Sequence, residues 1–123
     1  MNSNKENALS FLQLVTNGNV REAYLSHVAS DFCHHNPNFP GDAKSLMLAM
    51  EEDAAGNPDK IIGIIRAIEE GDSVVVHSHV KQNTEDLGWA IVHIFRFQED
   101  RIVELWDLVQ AVPENSINKN GVF

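Results

Sequence analysis

The hydrophobic positions change period about halfway along the chain. Between Lys5 and Asn17, the residues Ala8, Phe11, Leu12 and Val15 recur at the spacing of one helix face, and Gly18 is a stop signal. Val20, Ala23 and Tyr24 repeat that spacing in a second, shorter helix over 20–27. The segment DFCHHNPNFPGD, 31–42, then breaks the pattern. Asn36-Pro37 and Phe39-Pro40-Gly41 are incompatible with a helix and predict a loop. Asp42 can cap a third helix, which buries Ala43, Leu46, Met47 and Met50 and ends at Gly56.

After Asn57-Pro58 the period becomes that of strands. Lys60–Ile68 is the first, Glu69-Glu70-Gly71-Asp72 a hairpin turn, and Ser73–Lys81 the second. Gln82–Leu87 is polar and turn-like. Gly88–Gln110 then reads as two long strands broken at Gln98-Glu99-Asp100, rich in aromatic and β-branched residues. Helices first and strands afterwards predict an α+β domain, an antiparallel sheet covered on one side by helices.

In the last two strands, two polar residues interrupt apolar rows. One row is Trp89, Ile91, His93, Phe95 and Phe97; the other is Val103, Leu105, Asp107 and Val109. A carboxylate on an apolar face costs several kcal/mol, roughly, unless it is paired, bonded or neutral. Whether the two rows share a face depends on the turn. A three-residue loop, 98–100, puts Phe97 opposite Arg101 and His93 opposite Leu105, with Asp107 diagonal to His93 on the same face. A two-residue loop at Glu99-Asp100 reverses the parity unless a bulge intervenes. Glu99-Asp100 contains no Gly, so the three-residue loop and a shared face are expected.

Composition narrows the field. The 123 residues make one domain, 1–123, with an ordinary core. No segment is long and apolar enough to span a membrane. The N-terminus MNSNKENA carries no apolar signal region, so a cytoplasmic location is expected. A net charge of −9 without a basic stripe argues against nucleic-acid binding. Cys33, the single cysteine, rules out an internal disulfide and is expected to be buried filler with no metal role. His77 and His79 share a strand face and, with His93 and Glu85, suggest the metal set of a cupin barrel. The glycine-rich turns of cupins are missing, and no metal is expected.

The chain resembles the SnoaL-like polyketide cyclase branch of the NTF2-like superfamily. The resemblance rests on His35-Asn36-Pro37, the His93 strand, the run Ile102-Val103-Glu104-Leu105-Trp106-Asp107 and the ending Asn120-Gly121-Val122-Phe123. It implies a cone, in which a curved antiparallel or mixed sheet is wrapped by three N-terminal helices around an internal pocket. It also implies intramolecular aldol-type ring closure without metal or organic cofactor. Asp107 matches the family's acid/base residue, with His93 beside it, and His35 is placed at the pocket. His77, Trp89, Ile91, Phe95, Leu105 and Val109 are the further residues expected to bind substrate.

Burial would raise the Asp107 pKa and so suit it to take a proton beside a carbonyl. The expected partner is a small apolar molecule. The alternative is a non-catalytic module enclosing such a molecule. Both parities of the last strands are apolar, with Val92 and Ile94 opposite Ile91 and Phe95. Helices cover one face only, so a homodimer through the other is expected.

Overall fold

The computed structural model describes residues 3–123. Helix α1 spans Asn4–Thr16 and starts from a capping box: Ser3 accepts from the Glu6 amide, and Glu6 returns a bond to the Ser3 amide. Helix α2 spans Val20–His27. Helix α3 spans Ala43–Gly56, capped by Asp42, whose carboxylate accepts from the Ser45 amide.

The sheet has five strands, β1 (Val28–His34), β2 (Ile61–Glu70), β3 (Ser73–Lys81), β4 (Trp89–Gln98) and β5 (Arg101–Ala111), in the order β1-β5-β4-β3-β2. All neighbours are antiparallel except β1 and β5. The sheet is therefore mixed, curved and open, with the helices on its inner face.

The sequence reading assigned no strand to 28–34. Strand β1 contains one large buried apolar side chain, Phe32, and its pairing with β5 is irregular between Val28 and Cys33. It lies at a sheet edge and borrows its register from β5. Little in its own alternation declares it.

The β4–β5 turn also differs from expectation. Gln98 pairs with Arg101, so the loop is the two residues Glu99-Asp100, both with positive φ, +51° and +66°. That alone would move Asp107 to the opposite face. The ladder shifts between Arg96 and Phe97, however: Arg96 pairs with Glu104 and Phe97 with Ile102, leaving Val103 as an extra residue. The bulge restores the parity. His93 and Asp107 are direct cross-strand partners on the inner face, where the expected register had Leu105 opposite His93 and Asp107 diagonal to it.

The inner face can be followed as rungs across the sheet. Val74, Phe95 and Leu105 form one rung and pack solidly against the helices. Phe95 meets Phe11 edge-on at 5.9 Å between centroids, and Phe11 meets Tyr24 at 5.6 Å. The next rung is Val76, His93 and Asp107, then Ser78, Ile91 and Val109, then Val80 and Trp89. The helices stop filling the cone at the His93 rung, where a cavity opens. No helix among the described residues is long and apolar enough to cross a membrane.

Candidate functional site

The cavity has a volume of about 510 Å³ and lies between the inner face and helices α1 and α3. Phe11, Leu12 and Leu46 line its buried depths. Phe39, Trp89 and Val109 line it while keeping 41%, 42% and 55% of their own surface exposed, which marks them as the rim. The walls are mainly apolar. Asn36, Asn38, Asp53, Lys60, Gln82, His93 and Asp107 are among the polar exceptions.

Asp107 is half-buried and faces this space. One carboxylate oxygen, Oδ2, accepts from Asn36 Nδ2 at 3.1 Å; Oδ1 has no hydrogen-bond partner among the described residues. The Asn36 amide cannot turn freely. Its Oδ1 accepts from the Asn38 backbone amide at 2.9 Å, which commits Nδ2 to Asp107. The loop carrying Asn36 is anchored in turn by His34. That ring is buried, with Nδ1 accepting from the Asn36 amide and Nε2 donating to Pro40 O at 2.7 Å.

His93 rests on Phe95, ring centroids 5.9 Å apart and planes within 22°. Its Nδ1 is buried with no partner among the described residues, and Nε2, likewise unbonded, is left to the cavity. Burial pushes its pKa down to about 4. Asp107 opposes that shift, Lys60 adds to it, and desolvation is the largest of the three. The imidazole is therefore neutral at physiological pH. A ring proton on Nδ1 would be an unpaired buried donor; on Nε2 it can reach a bound molecule. Lys60 is ion-paired with Asp53 at the cavity wall.

Trp89, Ile91 and Val109 line the cavity. Four other expected pocket residues do not. His35 points to the outer face, stacked on Trp106 at 4.9 Å with planes 9° apart, its Nε2 bonded to Glu104 Oε2 at 2.5 Å. It follows inner-facing His34 on a strand, so alternation sends it outward. His77 is also on the outer face, bonded to Arg66 and beside Phe123. Phe95 and Leu105 sit on the inner face but one rung too far toward the turn, where the helices cover them. Cys33, expected to be buried, is exposed.

The residues missed were Asn36, Asn38, Asp53, Lys60 and Gln82. Only Asn36 carried a signal, its place in His35-Asn36-Pro37. The structure divides its amide between the turn, through Oδ1, and Asp107, through Nδ2.

Solved structures share this architecture. One described as a candidate polyketide cyclase from Acidithiobacillus ferrooxidans is 20% identical, with a TM-score of 0.72 over 89% of this chain and 90% of that one. AclR, described as a candidate hydroxylase from Streptomyces galilaeus, is 19% identical, with a TM-score of 0.73 over 87% and 88%. An NTF2-like protein of unknown function from Cytophaga hutchinsonii is 15% identical, with a TM-score of 0.72 over 89% and 92%. At such identities the likeness establishes the fold, and the descriptions themselves name different chemistries. No curated protein matches the sequence. The SnoaL-like polyketide cyclase family matches residues 6–114, nearly the whole chain, and the protein belongs to that family.

Proposed function

We propose that the protein is a cofactor-independent cyclase or isomerase that removes a proton beside a carbonyl in a small, largely apolar molecule. One observation carries the reading. The Asp107 carboxylate stands in an apolar cavity, directly across the strands from an unpartnered, neutral His93. Asp107 Oδ1 takes the proton while Asn36 holds Oδ2 and so fixes the carboxylate plane. His93 Nε2–H donates to the carbonyl oxygen as negative charge gathers there, a role a neutral donor fills without gaining or losing a proton. Attack of the enolate carbon on a second carbonyl of the same molecule closes a ring. Return of the proton from Asp107 to the new alkoxide, or to another carbon, completes an aldol-type closure or an isomerisation. Nothing in this sequence of steps calls on a metal or organic cofactor.

The apolar rim of Phe39, Trp89 and Val109 suits the body of such a substrate. The outer sheet face supports a homodimer: Val75, Val92, Ile94 and Trp106 are half-buried there, and Leu108 is 61% exposed. A cytoplasmic location accords with this reading.

The test is a panel of ketones and diketones, scored for deuterium exchange at the carbon beside the carbonyl and for cyclised product. Asp107→Asn should abolish exchange while binding persists. Exchange at the wild-type rate by Asp107→Asn would reject the proposal. Binding without exchange by the wild type would favour the non-catalytic module. Light scattering at micromolar concentration should give twice the 13.7 kDa chain mass; the monomer mass would reject the dimer.

A further inference from the structure

The parallel pairing of β1 and β5 brings Cys33, His35 and Glu104 together on the outer sheet face, on the opposite side of the sheet from the cavity. Cys33 pairs with Glu104. His35 extends the strand, its amide donating to Leu105 O at 3.0 Å, so its side chain emerges on the same face as Cys33. A sulfur, an imidazole nitrogen and a carboxylate oxygen thus lie within 4.8 Å of one another. We propose that these three side chains form a surface site for a divalent metal of the zinc class.

Four observations support the assignment. The donors are the three types that zinc combines, and bonds of about 2.0–2.3 Å in a tetrahedral site put ligand atoms about 3.3–3.7 Å apart. With its ligand atoms within 4.8 Å of one another, the cluster needs only small side-chain movement to reach that spacing. A thiolate and a carboxylate supply two negative charges, which balance a dication. The two longer ligands are already oriented. Trp106 stacks on the His35 ring, and Arg96 Nε holds Glu104 Oε1 at 2.9 Å, leaving Oε2 turned toward the cluster. The site is also open. Cys33 and His35 are exposed, so a fourth position is left for water or an exogenous donor.

Without metal, His35 Nε2 donates to Glu104 Oε2 at 2.5 Å. Coordination replaces that contact: the metal takes the Nε2 lone pair, the ring proton moves to Nδ1, and Cys33 Sγ releases its proton to solvent. The Nε2–Oε2 separation must then widen by about 1 Å, a rotation of the Glu104 carboxylate. Arg96 limits affinity through its positive charge and, by holding Oε1, leaves Glu104 only Oε2 to give the metal.

The test uses full-length protein, stripped with a chelator and kept reduced with a phosphine, because thiol reductants compete for metal. Titration with Co²⁺ should saturate at about one equivalent per chain and produce the near-ultraviolet band of a thiolate bound to cobalt. Zn²⁺ should bleach it. Cys33→Ser should remove the band. His35→Gln should weaken Zn²⁺ binding by at least about tenfold. His79→Gln, on the same face but outside the cluster, should leave the titration unchanged. Absence of the thiolate band in the folded wild type would overturn the proposal. So would a titration curve that Cys33→Ser and His35→Gln leave in place.

Discussion

The sheet presents two faces, and their polar residues are treated in opposite ways. On the outer face, His35 bonds Glu104, His77 bonds Arg66 and His79 bonds Leu87 O. Glu104 is held by both His35 and Arg96. On the inner face, His93 has no hydrogen-bond partner among the described residues, and Asp107 has one, through a single oxygen. Of the six histidines in the sequence, the other five all have partners. Outward polar groups are satisfied by neighbours or solvent, so none of them calls for a molecule bound in the inner cavity. A polar group left unpaired at the floor of an apolar cavity loses roughly 1–3 kcal/mol of hydrogen bonding, a loss that a bound molecule can restore. The difference between the faces locates the chemistry better than residue type does.

The largest effect should come from the inner carboxylate. Asp107→Asn keeps the shape of the side chain and removes its basicity, so turnover should fall by roughly 10²–10⁴. His79→Gln, on the outer face, should leave turnover unchanged. Steady-state rates on a substrate found by the exchange assay compare the two. Similar losses in both variants would erase the distinction between the faces.

The next effect concerns pH. Folded His93 titrates near 4, against 6.5 for the ordinary group. Between those values the unfolded chain takes up a proton that the folded protein refuses. Stability from this residue is therefore complete above pH 6.5 and is lost as the pH falls toward 4. The total is roughly 3 kcal/mol at about 1.4 kcal/mol per unit. His27, lowered by burial and then by Arg101, adds to the loss with the same sign. Urea midpoints measured at pH 7 and pH 5.5 should differ more for the wild type than for His93→Gln, which keeps the contribution of His27. Parallel curves for the two proteins would show that His93 is not held neutral.

The shared face of His93 and Asp107 was legible in the sequence, but for a partly wrong reason. The row of apolar residues interrupted by each is plain. The turn was misjudged because Glu99 and Asp100 both adopt positive φ without a glycine to announce it. The compensating bulge at Val103 leaves no mark in the alternation. The three helices were legible because Ala8-Phe11-Leu12, Val20-Ala23-Tyr24 and Leu46-Met47-Met50 repeat at helical spacing, the last behind the Asp42 cap. Strand β1 was not, since its pairing is non-local and its one strong apolar residue is Phe32. That omission hid two further things. Without β1, nothing tells which of His34 and His35 faces inward, and nothing brings Cys33 beside Glu104. Asn36 was hidden for a related reason: its bond to Asp107 joins residues 71 positions apart.

The tail gives a smaller effect confined to the outer face. Phe123 lies over His79, with ring centroids 4.4 Å apart, and Val122 lines a small outer cavity with His77 and Leu108. The ending thus folds over the outer face of the sheet. Phe123 remains 41% exposed, so its burial contributes only part of the roughly 1.5–3 kcal/mol of a fully buried Phe. Deleting 118–123 should lower the melting temperature by a few degrees. Ligand binding in the inner cavity should not change. Weakened inner binding would mean that the two faces communicate through the sheet.

The smallest effect lies in the titration of Glu104. The bond from His35 holds its carboxyl below the ordinary carboxylate range, with the bond from Arg96 as the second cause. His35→Gln removes the leading cause and leaves Arg96 in place. The Glu104 titration should move upward without returning to that of a free glutamate. Carboxyl carbon shifts followed by NMR through the acid range would read this directly. The sign bears on the contrast between the two faces. If Glu104 does not move, the His35 contact is not formed in solution, and His35 is free to turn elsewhere. The outer face would then hold an unpartnered histidine as well, and lack of a partner would no longer set His93 apart.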